Sequence, residues 1–343
     1  MRFGYFIPQG WRHDLTEVAP ENHWETMRSL LQHADTATTP DGSFAFDSVW
    51  VYDHFHTVPA PTEQATHEAW TLMAAFAAAS DRVRLGQMCT CMAYREPTYL
   101  AKVAATVDAI SGGRTEMGIG AGWYEHEWRA YGYGFPSAGE RLLALDEGVQ
   151  IMANMWRNGS SGTFEGKRYQ VDGALCYPQP LQTVHVDGDD KPSIPLWIAG
   201  GGEKKTLLTA AKYAQYTNFA GDLATFTHKS NVLRDHCQAV GREFSDITRS
   251  GNFNVLIGTE KEIADKEAWL ESVYRKHTPE KADAELEGWR STPLRGTAEQ
   301  IVETLLEWKQ AGLGYQISYF PNAAEDRDQI ATFAREVVPQ LQG

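Results

Sequence analysis

LWIAGGGEKKTLLTAAKYAQYTNF, residues 196–219, contains two short apolar segments separated by a glycine run and a helical pattern. Leu196–Ala199 and Tyr216–Phe219 carry the aromatic and β-branched residues that are typical of strands, and the segment between them predicts a helix. A strand, a crossover helix and a second strand form the unit from which parallel sheets are built. This stretch therefore predicts an α/β protein.

The same alternation of strands and helical patterns continues on both sides of that stretch. Six further predicted strands are Phe3–Ile7, Ser48–Val51, Val83–Cys89, Glu116–Ile119, Phe253–Ile257 and Gln316–Phe320. Eight strand-and-helix units in series favour a closed barrel over an open sheet, and such barrels often exceed the length of an average domain. We therefore predict a (β/α)8 TIM barrel that forms a single domain over residues 1–343.

Helix boundaries are marked by local signals. Pro97 begins a helix that ends at Gly112-Gly113, and Ser137 with Glu140 and Thr297 with Gln300 form capping boxes. The predicted buried stripe of the first helix is Leu100, Val103, Ala104, Val107 and Ile110.

Two stretches exceed a minimal barrel and are predicted as insertions at the barrel rim. Residues 158–195 are strand-poor, with an acidic patch at 187–190, and residues 258–295 are charged and mostly helical. Neither has enough apolar residues for a core of its own.

Composition excludes several classes of partner. The net charge of −14 argues against nucleic acid and against an anionic membrane surface. The sequence lacks an apolar run of the roughly 18–20 residues that a membrane helix needs and lacks a signal-peptide pattern. We expect a cytoplasmic protein whose four cysteines (Cys89, Cys91, Cys176 and Cys237) are reduced.

In such barrels the active site forms at the carboxyl ends of the strands. Trp11 and Trp123 lie in predicted loops at these ends, and with Gln9 they are the candidate substrate pocket. By their residue types alone, Met88, Cys89 and Cys91 indicate packing rather than chemistry.

The glycines Gly200, Gly201 and Gly202 have two interpretations. Between a strand and a helix, they let backbone N–H groups approach a phosphate. Lys204 and Lys205, predicted in the first helical turn, oppose the helix dipole unless an anion lies there. The alternative is a plain tight turn with solvated lysines. The glycines of residues 118–122 lack the dinucleotide-binding spacing.

Asp53-His54-Phe55-His56 also has more than one interpretation. The two histidines could ligate a metal ion, although Glu125-His126-Glu127 is the only other ligand cluster at a strand end. A histidine beside a redox ring could instead act as a hydrogen-bond donor or general acid. Ordinary surface histidines are the third possibility.

Six stretches, in their order and spacing, carry a resemblance to a known family. They are residues 46–55 (FDSVWVYDHF), 68–86, 94–114, 117–142 (beginning MGIGAGWYEHEW), 195–219 and 294–312. The sequence resembles the luciferase-like monooxygenase and reductase superfamily, and within it the actinobacterial branch that uses coenzyme F420.

This resemblance implies a coenzyme lying across the barrel mouth. It places Asp53 and His54 beside the deazaflavin ring, with His54 as the catalytic residue facing the hydride-bearing carbon. The remaining implied coenzyme contacts are Met88, Cys89 and Thr90, in a bulge with a non-proline cis peptide, then Gly122 and His126 at the ring and ribityl chain, and Ala199, Gly200, Gly201 and Gly202 at the phosphate. It implies no metal ion.

The implied activity is hydride transfer between coenzyme F420 and a small organic substrate with a carbonyl, imine or activated alkene. Asp53-His54 favours deazaflavin over FMN, while Trp123 and Val58 depart from the family's sugar-phosphate dehydrogenases. An FMNH2-dependent two-component monooxygenase is one alternative, and a metal-dependent TIM-barrel hydrolase is another. We also expect a homodimer.

Overall fold

The computed structural model describes residues 1–186, 188–219 and 221–342. Its strands, in chain order, are β1 (Arg2–Phe6), β2 (Ser48–Val51), β3 (Arg84–Gln87), β4 (Thr90–Cys91), β5 (Thr115–Gly120), β6 (Thr163–Glu165), β7 (Gln170–Asp172), β8 (Thr183–Val186), β9 (Asp189–Pro192), β10 (Leu196–Ala199), β11 (Tyr216–Asn218), β12 (Thr248–Ile257), β13 (Leu294–Gly296) and β14 (Leu313–Tyr319).

The helices are α1 (His23–Thr36), α2 (Ala69–Ala79), α3 (Pro97–Ser111), α4 (Glu125–Ala130), α5 (Ala138–Asn158), α6 (Thr206–Tyr213), α7 (Leu223–Val240), α8 (Glu260–His277), α9 (Ala282–Arg290), α10 (Ala298–Gln310) and α11 (Asp328–Thr332). None of the helices within the described residues is long and apolar enough to cross a bilayer.

The chain divides into two compact units, of which the first comprises residues 1–68 and 250–343. Here β1 lies between β14 and β2, and all three strands are parallel: Phe3 pairs with Gln316 and Gly4 with Ser48. Aromatic and aliphatic side chains of these strands are fully buried and form the core of this unit.

The second unit comprises residues 69–249. Its strand β5 lies between β3 and β10, and β10 also pairs with β11; these pairings are parallel. Met117, Ile119, Leu196 and Trp197 are fully buried. Because both faces of a parallel sheet are covered, its strands are apolar almost throughout.

The fold class predicted from the sequence is confirmed. Eight parallel strands alternate with helices along the chain (β1, β2, β3, β5, β10, β11, β12 and β14), which gives the (β/α)8 TIM-barrel fold. Two predicted strands, Ser48–Val51 and Leu196–Ala199, have the observed boundaries. The assignment of residues 1–343 to a single domain stays a prediction.

Several sequence predictions about strands were wrong. The predicted strand Val83–Cys89 ends at Gln87, because the chain bulges there before pairing resumes at Thr90. The strands predicted to begin at Phe253 and Gln316 begin earlier, at Thr248 and Leu313. Residues 158–195 contain two antiparallel hairpins, β6–β7 and β8–β9, whose strands of three or four residues are too short to give a clear alternation. Residue 187 of the acidic patch lies outside the described residues.

The helix signals were more reliable. α3 begins at Pro97 and ends at Gly112, which adopts a left-handed conformation, and both predicted capping boxes are present. Ile110 was wrongly placed in the buried stripe, since 49% of its surface is exposed. Residues 258–295 are mostly helical, as predicted, and the four cysteines are free.

Candidate functional site

In the first unit, the predicted site residues lie at the ends of β1 and β2. The amide of Gln9 is buried and donates to the carbonyl oxygens of Tyr52 (2.7 Å) and His67 (2.6 Å), while its oxygen accepts from the Tyr52 backbone N–H (2.7 Å). Gln9 therefore fixes the backbone just before Asp53. Its place in a substrate pocket stays a prediction.

His54 is held by aromatic stacking. The Trp11 ring lies parallel to the His54 imidazole, with centroids 4.5 Å apart and an interplanar angle of 7°, and Tyr52 contacts the same tryptophan at 3.9 Å. Both His54 and Trp11 are partly exposed, whereas Asp53 is 2% exposed. The arrangement fixes the orientation of an accessible imidazole beside a buried carboxyl group.

A buried polar network lies on the same turn after β1. The Asp14 carboxyl accepts hydrogen bonds from the Gly10 N–H (2.6 Å) and from the Tyr319 hydroxyl. Burial raises the pKa of Asp14 and also that of Tyr319. These two groups share a hydrogen bond that ties the end of β14 to this turn.

His13 is a buried histidine on the same turn. Its imidazole is fully buried and stacks on His277 of α8, with centroids 5.2 Å apart. Neither ring nitrogen has a hydrogen-bond partner among the described residues. Burial, assisted by repulsion from His277, lowers the pKa of His13 to about 4.

In the second unit, the bulge between β3 and β4 has the predicted geometry. The Met88–Cys89 peptide bond is cis although its second residue is not proline, which confirms the sequence prediction. The Thr90 hydroxyl donates to the Gln87 side-chain oxygen at 2.8 Å, and both residues are buried. The Gln87 amide nitrogen is buried without an acceptor among the described residues.

Alternate glycines of β5 explain why the bulge fits. A Cβ on Gly118 would lie 1.9 Å from the Gln87 carbonyl oxygen, and one on Gly120 would lie 2.8 Å from the Cys89 sulfur. A Cβ on Gly122 would contact the Trp128 ring at 2.8 Å. The glycine run that lacks dinucleotide-binding spacing therefore permits close packing against the bulge.

The loop after β5 carries the remaining candidates of this unit. Trp123 is 62% exposed and stacks on Tyr124 with centroids 5.2 Å apart, and Tyr124 lies 6.1 Å from the His126 ring. Burial raises the pKa of Tyr124 to about 12, so its phenol stays protonated at neutral pH. An exposed ring on a buried neighbour is suited to contact a ligand at the surface of this unit.

The glycine loop after β10 differs from the prediction in one respect. Helix α6 begins at Thr206, so Lys204 and Lys205 precede it, and placing them in its first turn was wrong. Both lysines are exposed and have no ion-pair partner among the described residues. Gly200 has φ +113°, a conformation that favours glycine.

Helix α7 adds a lysine and a histidine to this loop, which the sequence did not predict. Lys229 donates to the Gly201 carbonyl oxygen at 2.6 Å, and His236 contacts the Glu203 carbonyl oxygen at 2.7 Å. The carboxylate of Glu203 lies 3.8 Å from the Lys229 ammonium group. Glycines flanked by cations are suited to hold an anion. Only the fold brings α7 to the loop, and no local motif signals it.

Each unit thus brings together part of the predicted set. The first holds Gln9, Trp11, Asp53 and His54 at two adjacent strand ends. The second holds Met88, Cys89, Thr90 and Gly122 around the bulge, Trp123 and His126 after β5, and Ala199–Gly202 after β10. In the described part of the chain, no group of three or more His, Cys, Asp or Glu side chains is arranged to hold a metal ion.

Comparison with known proteins gives the family. The model for the luciferase-like monooxygenase family matches residues 1–314. The chain is 24% identical over 363 residues to the pyrimidine monooxygenase RutA of Stutzerimonas stutzeri (strain A1501), with 100% of this chain and 90% of the relative covered. It is 25% identical over 341 residues to the F420-dependent glucose-6-phosphate dehydrogenase of Amycolatopsis mediterranei (strain U-32), with 92% and 94% covered.

A solved F420-dependent secondary alcohol dehydrogenase, in complex with an F420-acetone adduct, superposes with a TM-score of 0.75 at 20% identity, covering 100% of this chain and 99% of the other. The solved structure supports the TIM-barrel fold, and the family match and the relatives support an enzyme of the oxidoreductase and monooxygenase class. The chain belongs to the luciferase-like monooxygenase family, whose members similar to it include both F420-dependent dehydrogenases and monooxygenases.

Proposed function

We propose that the protein is an F420-dependent oxidoreductase that transfers a hydride between the deazaflavin and a small organic substrate. The observation that supports this most is the orientation of His54, stacked on Trp11 at the end of β2 and directly after the buried Asp53. An Asp-His pair at this strand end is the feature that favours deazaflavin over FMN in the family resemblance.

The residues present fit such a coenzyme on two structural criteria. The loop Gly200–Gly202 has an exposed backbone with nearby cations, which suits a phosphate. The bulge at Met88–Cys89 packs closely against Gly118 and Gly120 of β5, which fixes the position of the segment proposed to support the ring. Thr90, Gly122 and His126 complete the proposed coenzyme contacts.

The chemistry of the reaction is divided between coenzyme and protein. When bound, the reduced deazaflavin supplies a hydride, and it does not activate oxygen readily. His54 donates a hydrogen bond or a proton to the substrate atom on which negative charge accumulates. Trp11 orients the imidazole for that task, and Asp53 supports the geometry of the strand end.

The identity of the coenzyme is tested by titrating the apo-protein with oxidised F420 and, separately, with oxidised FMN. Calorimetry measures the affinity for each. The better ligand is then reduced and mixed anaerobically with a panel of ketones, imines and conjugated enones. We expect tighter binding of F420 and oxidation of its reduced form without oxygen. Tighter FMN binding, or turnover that requires oxygen, would overturn the proposal.

A monooxygenase that uses reduced flavin is the second candidate, because the relatives that match this chain along its whole length include RutA, a pyrimidine monooxygenase. That reaction consumes oxygen in proportion to product. An oxygen electrode in the same assay measures this consumption. Under argon, the proposed hydride transfer should proceed at the same rate, whereas the reaction of a monooxygenase should stop.

A further inference from the structure

Arg12 is a cation at the end of β1 that the proposed chemistry does not use. It follows Trp11 directly, and its guanidinium group donates from Nη1 to the Asn254 side-chain oxygen of β12 at 2.8 Å. The residue is partly exposed. Arg12 belongs to the first unit and directly follows Trp11, whose ring stacks on His54.

Aromatic rings surround this guanidinium group. Its central carbon lies 4.8 Å from the Trp289 ring centroid and 4.5 Å from that of Tyr319. Trp289 comes from α9 of the second insertion and is itself linked to the Tyr274 hydroxyl at 3.4 Å. The rings stabilise the cation through cation–π attraction and hold it in one orientation.

Arg12 has no ion-pair partner among the residues that the structure describes. The nearest acidic residue along the chain, Asp14, already accepts from the Gly10 N–H and from the Tyr319 hydroxyl. The carboxyl groups of Asp14 and Glu285 interact with Arg12 only at longer range than an ion pair, so they replace the hydration lost by this partly buried cation only in part. Arg12 is thus equipped to bind an anion from outside the chain.

Arg114 is an arginine of the same protein whose guanidinium group is fully engaged in hydrogen bonds within the fold. Its guanidinium nitrogens donate to the carbonyl oxygens of Ser80 (2.6 Å), Val83 (2.7 Å), Ala77 (3.2 Å) and Ser111 (2.6 Å), and to the Ser80 hydroxyl (2.8 Å). Arg12, in contrast, has one side-chain acceptor at hydrogen-bond distance. The Tyr274 hydroxyl also interacts with this guanidinium group, and within the described residues none of the Arg12 N–H groups donates to a backbone carbonyl oxygen.

We propose that Arg12 anchors a carboxylate of the substrate. This rests on the proposed function and narrows its substrate to a carbonyl, imine or activated-alkene compound that carries a carboxylate. A planar guanidinium fork matches a carboxylate in two parallel hydrogen bonds, and aromatic walls suit the apolar part of such a molecule. Arg12 is a specificity residue, since it binds the substrate away from the reacting atoms.

The test uses the full-length protein without coenzyme, so that it does not depend on the proposed redox chemistry. Benzoate, sorbate and levulinate are titrated by calorimetry beside their neutral amides. We expect at least one carboxylate to bind the wild type tenfold or more tighter than its amide. Arg12→Met, which keeps the apolar stem, should abolish that preference, and Arg12→Lys should retain only part of it.

Arg28→Met is the matched control, because Arg28 is an exposed arginine of the same unit paired with Glu25. Its carboxylate preference should equal that of the wild type. Urea unfolding of each variant verifies folding, and if Arg12→Met does not fold, the reduced preference of Arg12→Lys decides. Equal affinity for acids and amides in the wild type, or an unchanged preference in a folded Arg12 variant, would overturn the assignment.

Inorganic phosphate is the third kind of ligand in the titrations, after the carboxylates and their amides. Phosphate that binds more tightly than every carboxylate, and does so through Arg12, would assign the residue to a phosphorylated ligand and contradict the proposal. The two proposals fail separately: loss of the carboxylate preference leaves the F420 titration untouched, and failure of F420 to bind leaves the preference measurable.

Discussion

The turn after β1 and the loop after β10 both carry predicted site residues, yet they hold their polar groups in opposite ways. In the turn, His13 and Asp14 are buried, and rings pack against Arg12 and His54. In the loop, Gly202, Lys204 and Lys205 are exposed. The turn after β1 holds individual side chains in one orientation, whereas the loop after β10 exposes its backbone and two lysine side chains to solvent.

This difference separates two kinds of energetic contribution. A buried, oriented group interacts strongly because water does not compete, and a small displacement changes its effect greatly. An exposed charge is screened by solvent and salt, and contributes modestly. We therefore expect the turn and its neighbour β2 to control rate and stability, and the loop to control coenzyme affinity.

The sharpest test of this comparison is His54→Ala. We expect kcat to fall roughly 10²–10⁴-fold, the usual range for a positioned acid or base, with little change in coenzyme affinity. Stopped-flow oxidation of reduced F420 measures the rate and a binding titration measures affinity. His56→Ala, two residues along the same segment, is the control. A variant that binds F420 weakly yet reacts at the wild-type rate when saturated would make His54 a binding residue.

His13 predicts a pH dependence of stability. Its pKa is about 4 in the folded protein, whereas an ordinary histidine has a pKa of 6.5, so the unfolded chain binds more protons between these two pH values. The free energy of unfolding should therefore fall by roughly 3 kcal/mol as the pH decreases from 6.5 to 4.

Urea unfolding at several pH values measures this loss. His13→Phe should weaken the dependence, because it removes the titrating group and keeps a ring against His277. His185→Phe, at an exposed position on β8, should leave the dependence as it is in the wild type. A His13→Phe profile with the wild-type slope would mean that other groups cause the acid sensitivity.

Gly201→Val probes the loop. Its β-carbon would lie 2.8 Å from the Lys229 side chain, and the branched residue would obstruct approach to the backbone. Coenzyme affinity should fall by more than tenfold, or about 1.4 kcal/mol, while the rate at saturation is preserved. Gly139→Val is the control, since its nearest neighbouring atom would be 3.9 Å away. Unchanged affinity in the folded Gly201 variant would exclude this loop as the phosphate site.

Lys229→Met should have the smallest effect. The lysine side chain is 18% exposed, and removing one partly screened charge should weaken F420 binding about threefold. The loss should shrink at high ionic strength. Lys212→Met, on the exposed face of α6, is expected to bind as the wild type does. A loss that does not depend on salt would show that Lys229 acts through its hydrogen bond to Gly201.

The eight strands of the barrel, the helix caps and the candidate residues at strand ends could be predicted from the sequence, because these features depend on neighbours within a few residues. The Thr297–Gln300 capping box illustrates this, as does the series of apolar segments that gave the barrel. The family resemblance predicted a non-proline cis peptide between Gln87 and Thr90, and the structure has it at Met88–Cys89. Periodicity alone would have continued this segment as a strand.

Contacts between distant segments were decided by the tertiary structure. Lys229 reaches Gly201 from another helix, and Trp289 packs on Arg12 from an insertion. Neither pairing leaves a local signal, because side chains far apart in sequence meet only when strands and helices pack. The sequence by itself therefore determined the barrel and the residues at its strand ends, while packing decided which charged groups are buried and which are paired.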